Sequence, residues 1–210
     1  RSLKNSLKYV MRHKITQGNI TDLQINKNIE ANYPNGIDFC YTDPPWGSGN
    51  LKWWKTLNKK ATNVDAELID QEILEERIVE LITTYVNNYA FIVYGVHQAE
   101  SIIHKLKQKS NVKDIQYYEK TYQSTKAMVN CVICVTLNDA SIKDFSVLEG
   151  LKGLKGLRYV CELFKDEYES VLELFVGIGH YLKIFHKYNF NVIGNELNSS
   201  RLDKAISKIK

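Results

Sequence analysis

The chain has 210 residues, 44% apolar and 25% charged, with 28 Lys and Arg against 24 Asp and Glu and a formal charge of +4. A composition this close to the globular average excludes disorder over the chain as a whole and fits one domain with a real core. The longest apolar runs, such as Tyr89–Val96, are too short to span a bilayer, and no signal-peptide pattern opens the sequence, so a cytoplasmic protein is expected.

In chain order, Arg1–Lys14 is basic, with Leu3, Leu7, Val10 and Met11 at helical spacing. Residues 1–15 read as an arm or a first helix and 16–210 as one domain, because no Pro-, Ser- or Gly-rich linker divides them. Asn35-Gly36 is a turn signal. Ile37–Thr42 after it reads as a buried strand that stops at Asp43-Pro44-Pro45-Trp46. Gly47–Asn63 is a polar loop, and Ala66–Asn87 is amphipathic at helical period. Strand Tyr89–Val96 and helix Gln98–Lys109 follow, then two strands, Ile115–Tyr122 and Ala127–Leu137, expected as an antiparallel pair near the sheet edge.

The repeat Leu-Lys-Gly-Leu-Lys-Gly-Leu-Arg (151–158) leads into a helix reaching about Tyr168. Strand Ser170–Phe175, a Gly-rich turn, helix Tyr181–Tyr188, strand Asn191–Asn195 and a basic helix complete the sequence. The alternation predicts an α/β fold with a Rossmann-like open sheet, mostly parallel, carrying an antiparallel hairpin at one edge. Cys131 and Cys134 have C-x-x-C spacing inside a β-branched run. Residues three apart on a strand face opposite sides, so no metal is expected there, and Cys40, Cys131, Cys134 and Cys161 read as buried reduced thiols.

Two segments carry chemistry. Of three prolines in the chain, two adjoin in Asp43-Pro44-Pro45-Trp46, at the carboxyl end of a buried strand, where open α/β sheets bind ligands. The prolines lock φ twice and remove two amide donors, which fixes the direction of the Pro44 carbonyl beside the Asp43 carboxylate. That pair of acceptors suits an amino group with two N–H bonds, and Trp46 offers a flat face for a base. The bland alternative is a rigid strand exit with a core tryptophan. The second segment, Glu173-Leu174-Phe175-Val176-Gly177-Ile178-Gly179, joins a strand to a helix, with two glycines that admit a close ligand. The next strand ends in Glu196, where an acid in a β-α-β unit can hold ribose hydroxyls.

These segments resemble the amino methyltransferases that use S-adenosylmethionine. Thr42–Trp46 is similar to their D/N/S-P-P-Y/F/W motif and Glu173–Gly179 to their cofactor loop. Ile193–Leu197 resembles the following strand with its ribose-binding acid, and Gly18-Asn19 sits where the family usually has Gly-Asp. The catalytic motif precedes the cofactor motif, as in the permuted class β. The resemblance covers about Thr16 to the C-terminus and implies catalytic roles for Asp43, Pro44, Pro45 and Trp46. It implies cofactor contacts from Asn19, Thr42, Asp43, Glu173, Phe175, Gly177, Gly179 and Glu196. The D-P-P-W form implies methylation of adenine at N6, on DNA before RNA. The alternatives are a cytosine N4 enzyme and a catalytically silent subunit that binds nucleic acid or a partner.

Family members often carry a target-recognition domain between the hairpin strand and the cofactor loop, and this chain has too few residues there. A homodimer or a recognition subunit is the implied remedy. Trp53 and Trp54 beside Lys52 and Lys55 could stack a base and neutralise phosphates, or one Trp could pack in the core with the lysines solvated. Lys152, Lys155 and Arg158 could track a nucleic-acid backbone or form a solvated helix face.

Overall fold

The structure, a computed structural model, describes residues 13–46, 56, 70–121 and 129–210. Seven strands form one sheet: β1 (Lys14–Gln17), β2 (Ile37–Thr42), β3 (Val86–Gly95), β4 (Val112–Thr121), β5 (Val129–Leu137), β6 (Ser170–Glu173) and β7 (Asn191–Glu196). Their spatial order is β1-β7-β6-β2-β3-β5-β4. Pairings from β1 through β3 are parallel, while β5 runs antiparallel to both β3 and β4. The expected hairpin therefore lies at the β4 edge of the sheet.

Among the described residues the long helices are α1 (Gln24–Asn32), α2 (Gln71–Tyr85), α3 (Ala99–Lys107), α4 (Lys155–Phe164), α5 (His180–Lys187) and α6 (Ser199–Ser207). They cover both faces of the sheet. Ile25, Ile29, Leu74, Ile78, Ile82, Ile102 and Leu106 from α1–α3 pack with Cys40, Ala90, Ile92 and Ile133 on one side. Leu157, Val160, Phe164, Leu182, Phe185 and Ala205 from α4–α6 pack with Phe39, Tyr41, Phe91 and Val132 on the other. Alternate strand residues thus enter opposite cores, as the pleat requires, and near-continuous apolar runs on β2, β3 and β5 are the mark of strands buried on both faces. Cys131 belongs to the first core and Cys134 to the second, as their spacing on a strand predicts; all four cysteines are free and buried.

Several boundaries differ from the sequence reading. The helix expected to reach Asn87 ends at Tyr85, and Val86 is already extended, with its backbone paired opposite Ile37. A β-branched residue offered a sheet partner leaves the helix without a loop. Strand β1 straddles the point dividing arm from domain and lies at the sheet edge beside β7. Four residues give too short a run for an alternation to be read. Helix α1 also escapes a hydrophobic-period reading, because only Ile25 and Ile29 of its nine residues are buried. The start of the helix expected from Ala66 lies partly outside the described residues, as do residues 1–12 of the basic segment.

Sheet order decides where a site can be. Helix α2, the next long described helix after β2, packs on one face and α5, which follows β6, on the other, yet β2 and β6 are neighbours. Loops from adjacent strand ends that depart to opposite faces open a crevice, the switch point at which open α/β sheets bind ligands. Phe39 pairs with Val171 and Cys40 with Leu172, so the two motifs emerge side by side although about 130 residues separate them.

Candidate functional site

At the end of β2, Thr42 is fully buried and its Oγ1 donates to Glu173 Oε1 at 3.2 Å. The same Glu173 oxygen accepts the Phe175 amide at 3.1 Å. Thr42 and Glu173, both expected to touch the cofactor, thus lie beneath the loop, joining the two motifs and shaping the turn at Phe175. Burial pushes the Glu173 carboxyl well above the usual range, and neighbouring Asp43 and Glu196 push the same way. Its other oxygen, Oε2, is buried with no hydrogen-bond partner among the described residues. An orphaned acceptor of this kind favours the protonated acid or a cationic ligand group close by.

Asp43 is half-buried. Desolvation lifts its carboxyl to about 7, while the Tyr181 hydroxyl and the positive charge of Lys120 pull it down. Tyr181 Oη approaches Asp43 Oδ2 to 3.5 Å. Tyr181 stands edge-on to Tyr41 at 5.5 Å between centroids, and Tyr41 stacks on Phe91 at 5.8 Å. An aromatic floor therefore fixes the side chain that meets Asp43. Pro44 is buried, and Pro45 and Trp46 are half-buried. Trp46 packs over Gly95 at the end of β3: a Cβ there would lie 2.4 Å from the Trp46 ring and 2.4 Å from the Gln98 carboxamide oxygen. Glycine at 95 is what lets the indole lie beside the carboxyl ends of the strands.

Across the crevice, Glu196 shapes the second loop. Its Oε2 accepts the Gly177 amide at 2.7 Å and its Oε1 accepts the Asn198 amide at 2.9 Å. A carboxylate has about four acceptor positions, so each oxygen keeps capacity for a ligand hydroxyl. Burial raises the Glu196 carboxyl; the two amides and Arg201 oppose this. Gly177 and Gly179 both have positive φ, at 58° and 78°. Their surroundings differ: a Cβ on Gly177 would meet only the Phe175 carbonyl at 3.9 Å, whereas one on Gly179 would lie 2.6 Å from Ala205 Cα. Gly177 thus keeps the mouth of the loop open, and Gly179 lets α5 and α6 close together.

Asn19 lies at the third wall. Gly18 N donates to the Glu196 carbonyl at 3.1 Å, and the Asn19 side chain accepts the Thr21 amide at 3.2 Å. Arg77 on α2 donates to the Ile20 carbonyl at 3.0 Å and to the Asn26 side chain, which ties this turn to the domain. Lys155 and Arg158 are exposed on α4, and Gly156 between them lies close to Tyr41, so the basic stretch sits at the motif end of the sheet. Trp53, Trp54, Lys52 and Lys55 lie outside the described residues. Tyr181 and Lys120 were not legible as site residues: the first opens a helix, and the second ends an edge strand, where a solvated lysine is the ordinary reading.

The sheet order, the crevice between β2 and β6 and the acid at the tip of β7 define the class I methyltransferase fold in permuted chain order. Solved structures with that fold align over nearly the whole chain. M1.HpyAVI, known alone and as a SAM complex, superposes with a TM-score of 0.60 at 15% identity, covering 93% of this chain and 98% of its own. The PvuII DNA methyltransferase, cytosine-N4-specific, gives 0.60 at 10% identity, covering 95% and 88%. TTHA0409 of Thermus thermophilus, provisionally described as a DNA modification methylase, gives 0.58 at 12%, covering 94% of each. No protein-family model matches the sequence, and a search of curated proteins finds no relative. Among the described residues no helix is long and apolar enough to cross a membrane.

Proposed function

We propose that this chain transfers a methyl group from S-adenosylmethionine to the exocyclic N6 amine of adenine in DNA. The observation that carries the reading is the meeting of Asp43-Pro44-Pro45-Trp46 with the Gly177–Gly179 loop at one switch point. The residues present fit the cofactor: Gly177 leaves the loop mouth open, Glu196 retains acceptors for ribose hydroxyls, and the orphaned Glu173 oxygen suits a nearby ammonium. Bound there, the cofactor supplies an electrophilic methyl group.

The chain's own residues supply the rest. An aromatic amine is a poor nucleophile because its lone pair is delocalised into the ring. The Asp43 carboxylate and the Pro44 carbonyl accept its two N–H bonds, favour the tetrahedral form and release the lone pair. A carboxyl near 7 is also placed to hold the proton that the methylated amine sheds. Trp46 provides the stacking face, and a target in duplex is flipped out at a cost of about a few kcal/mol.

The likeness to a cytosine-N4-specific enzyme supports a second reading, because the same acceptor pair would serve cytosine N4. The nucleic-acid contacts are assigned to Lys155 and Arg158, with Trp53, Trp54, Lys52 and Lys55 as further candidates. A homodimer supplies the recognition surface that a single copy lacks. Transfer of tritiated methyl to DNA and RNA, followed by nucleoside analysis, tests the proposal. Label in N6-methyladenine from DNA is the expected result; label in N4-methylcytosine selects the second reading, and no label in either refutes both.

A further inference from the structure

Asn195, the residue before Glu196 in β7, is a polar side chain only 2% exposed. It pairs with Thr16 of β1, the edge strand that leads into the Gly18-Asn19 turn. Its backbone carbonyl accepts the Val176 amide at 3.0 Å, and its side-chain Nδ2 donates to the Gly18 carbonyl at 3.1 Å. Glu196 repeats the pattern: its carbonyl accepts the Gly18 amide at 3.1 Å and its carboxylate accepts the Gly177 amide at 2.7 Å. Two consecutive residues of β7 thus hold both the loop that carries Gly177 and the turn that carries Asn19.

The turn has its shape from other bonds. The Asn19 amide donates to the Asp22 carboxylate at 3.1 Å, the Asp22 amide donates to the Asn19 carbonyl at 2.9 Å, and Arg77 holds the Ile20 carbonyl at 3.0 Å. None of these contacts touches β7. The bonds at Gly18 are what fix the turn against the strand that also holds the loop.

The carboxamide bears a cost for that bond. Asn195 Oδ1 is buried with no hydrogen-bond partner among the described residues. Turning the amide over would not relieve it, since oxygen would then face the Gly18 carbonyl, which can only accept. A buried acceptor left unpaired weakens a fold, and a leucine of similar branching would fill the place without one. What leucine lacks is the donor to Gly18.

We propose that Asn195 is a positioning residue of the cofactor site: its carboxamide sets the spacing between the Gly177 loop and the Gly18-Asn19 turn, so that both walls meet one ligand. The inference rests on the reading of this crevice as an S-adenosylmethionine site.

Asn195→Leu in the full chain tests it by two measurements. Amide hydrogen exchange without ligand, followed by NMR, reads the turn: the Gly18 amide exchanges several-fold faster than in the wild type. Calorimetry with S-adenosylhomocysteine reads the site: affinity falls about three- to tenfold, the value of one neutral hydrogen bond. The urea midpoint stays close to that of the wild type, because the orphaned acceptor leaves together with the bond and the half-buried Gly18 can turn its carbonyl to water. Asn19→Ala weakens binding in the wild-type background and adds little in Asn195→Leu, where the turn is already displaced. Unchanged Gly18 exchange overturns the proposal whatever the crevice binds. Unchanged affinity overturns it too, as do strictly additive losses in the double variant. A Leu variant that fails to fold also overturns it, since the side chain is then structural. A wild type that binds neither S-adenosylhomocysteine nor S-adenosylmethionine refutes the cofactor reading itself and leaves the exchange result to decide the tether.

Discussion

Replacing Asp43 by Asn separates the burial of the acid from its chemistry. Asp43 titrates near 7 in the folded chain against an ordinary 3.8, chiefly because burial disfavours the charge. The sign follows from proton binding. Between those two values the native protein holds a proton that the unfolded chain has lost, so stability falls as pH rises through this window and is flat above it. An amide of the same shape has no such loss. The stability gained by Asp43→Asn should therefore grow from about 2 kcal/mol at pH 5 to about 4 kcal/mol at pH 8. Loss of a like charge beside Glu173 adds to the gain at high pH. Urea unfolding of both proteins at the two pH values measures it. The Asn carbonyl can still accept an N–H of the target, so residual methyl transfer should lose its acid limb near pH 7. Asp43→Ala should abolish transfer while cofactor binding survives. A gain that is equal at pH 5 and pH 8 would show that burial is not what raises this carboxyl.

Glu196→Ala should weaken S-adenosylmethionine binding by roughly 1.5–3 kcal/mol, the value of hydrogen bonds to a charged group; unchanged affinity by calorimetry removes it from the site. Gly177→Ala and Gly179→Ala should diverge. The first meets open space and costs about 1–2 kcal/mol of unfolding stability through backbone strain. The second adds a clash with Ala205 and should lower unfolding stability by about 3 kcal/mol or more, read by denaturant titration. Equal melting midpoints for the two variants would contradict the assigned difference. With a formal charge of only +4, a single copy should bind DNA weakly and lose affinity steeply with salt. Sedimentation should show a dimer, and a strict monomer that binds one short sequence tightly at physiological salt would count against the partner.

What the sequence determined by itself is local. Buried strands announce themselves as β-branched and aromatic runs, as in Ile37–Thr42 and Val129–Leu137, and the paired prolines mark where the first of these stops. The two motifs were readable for the same reason, since each is a contiguous strand end with its own backbone chemistry. Elements too short or too polar to show a period, β1 and α1, took shape only through contacts with β7 and the sheet. Tertiary structure alone decided which strand ends are neighbours, and so that Thr42 and Glu173 join beneath the loop while Tyr181 reaches Asp43. It also decided that Lys120, near the end of β4, is buried against Gly156. The physical reason is that burial and charge pairing belong to residues far apart in the chain. No period of two or 3.6 residues encodes them, and sheet order creates them only once β4, β2, β6 and α4 are packed.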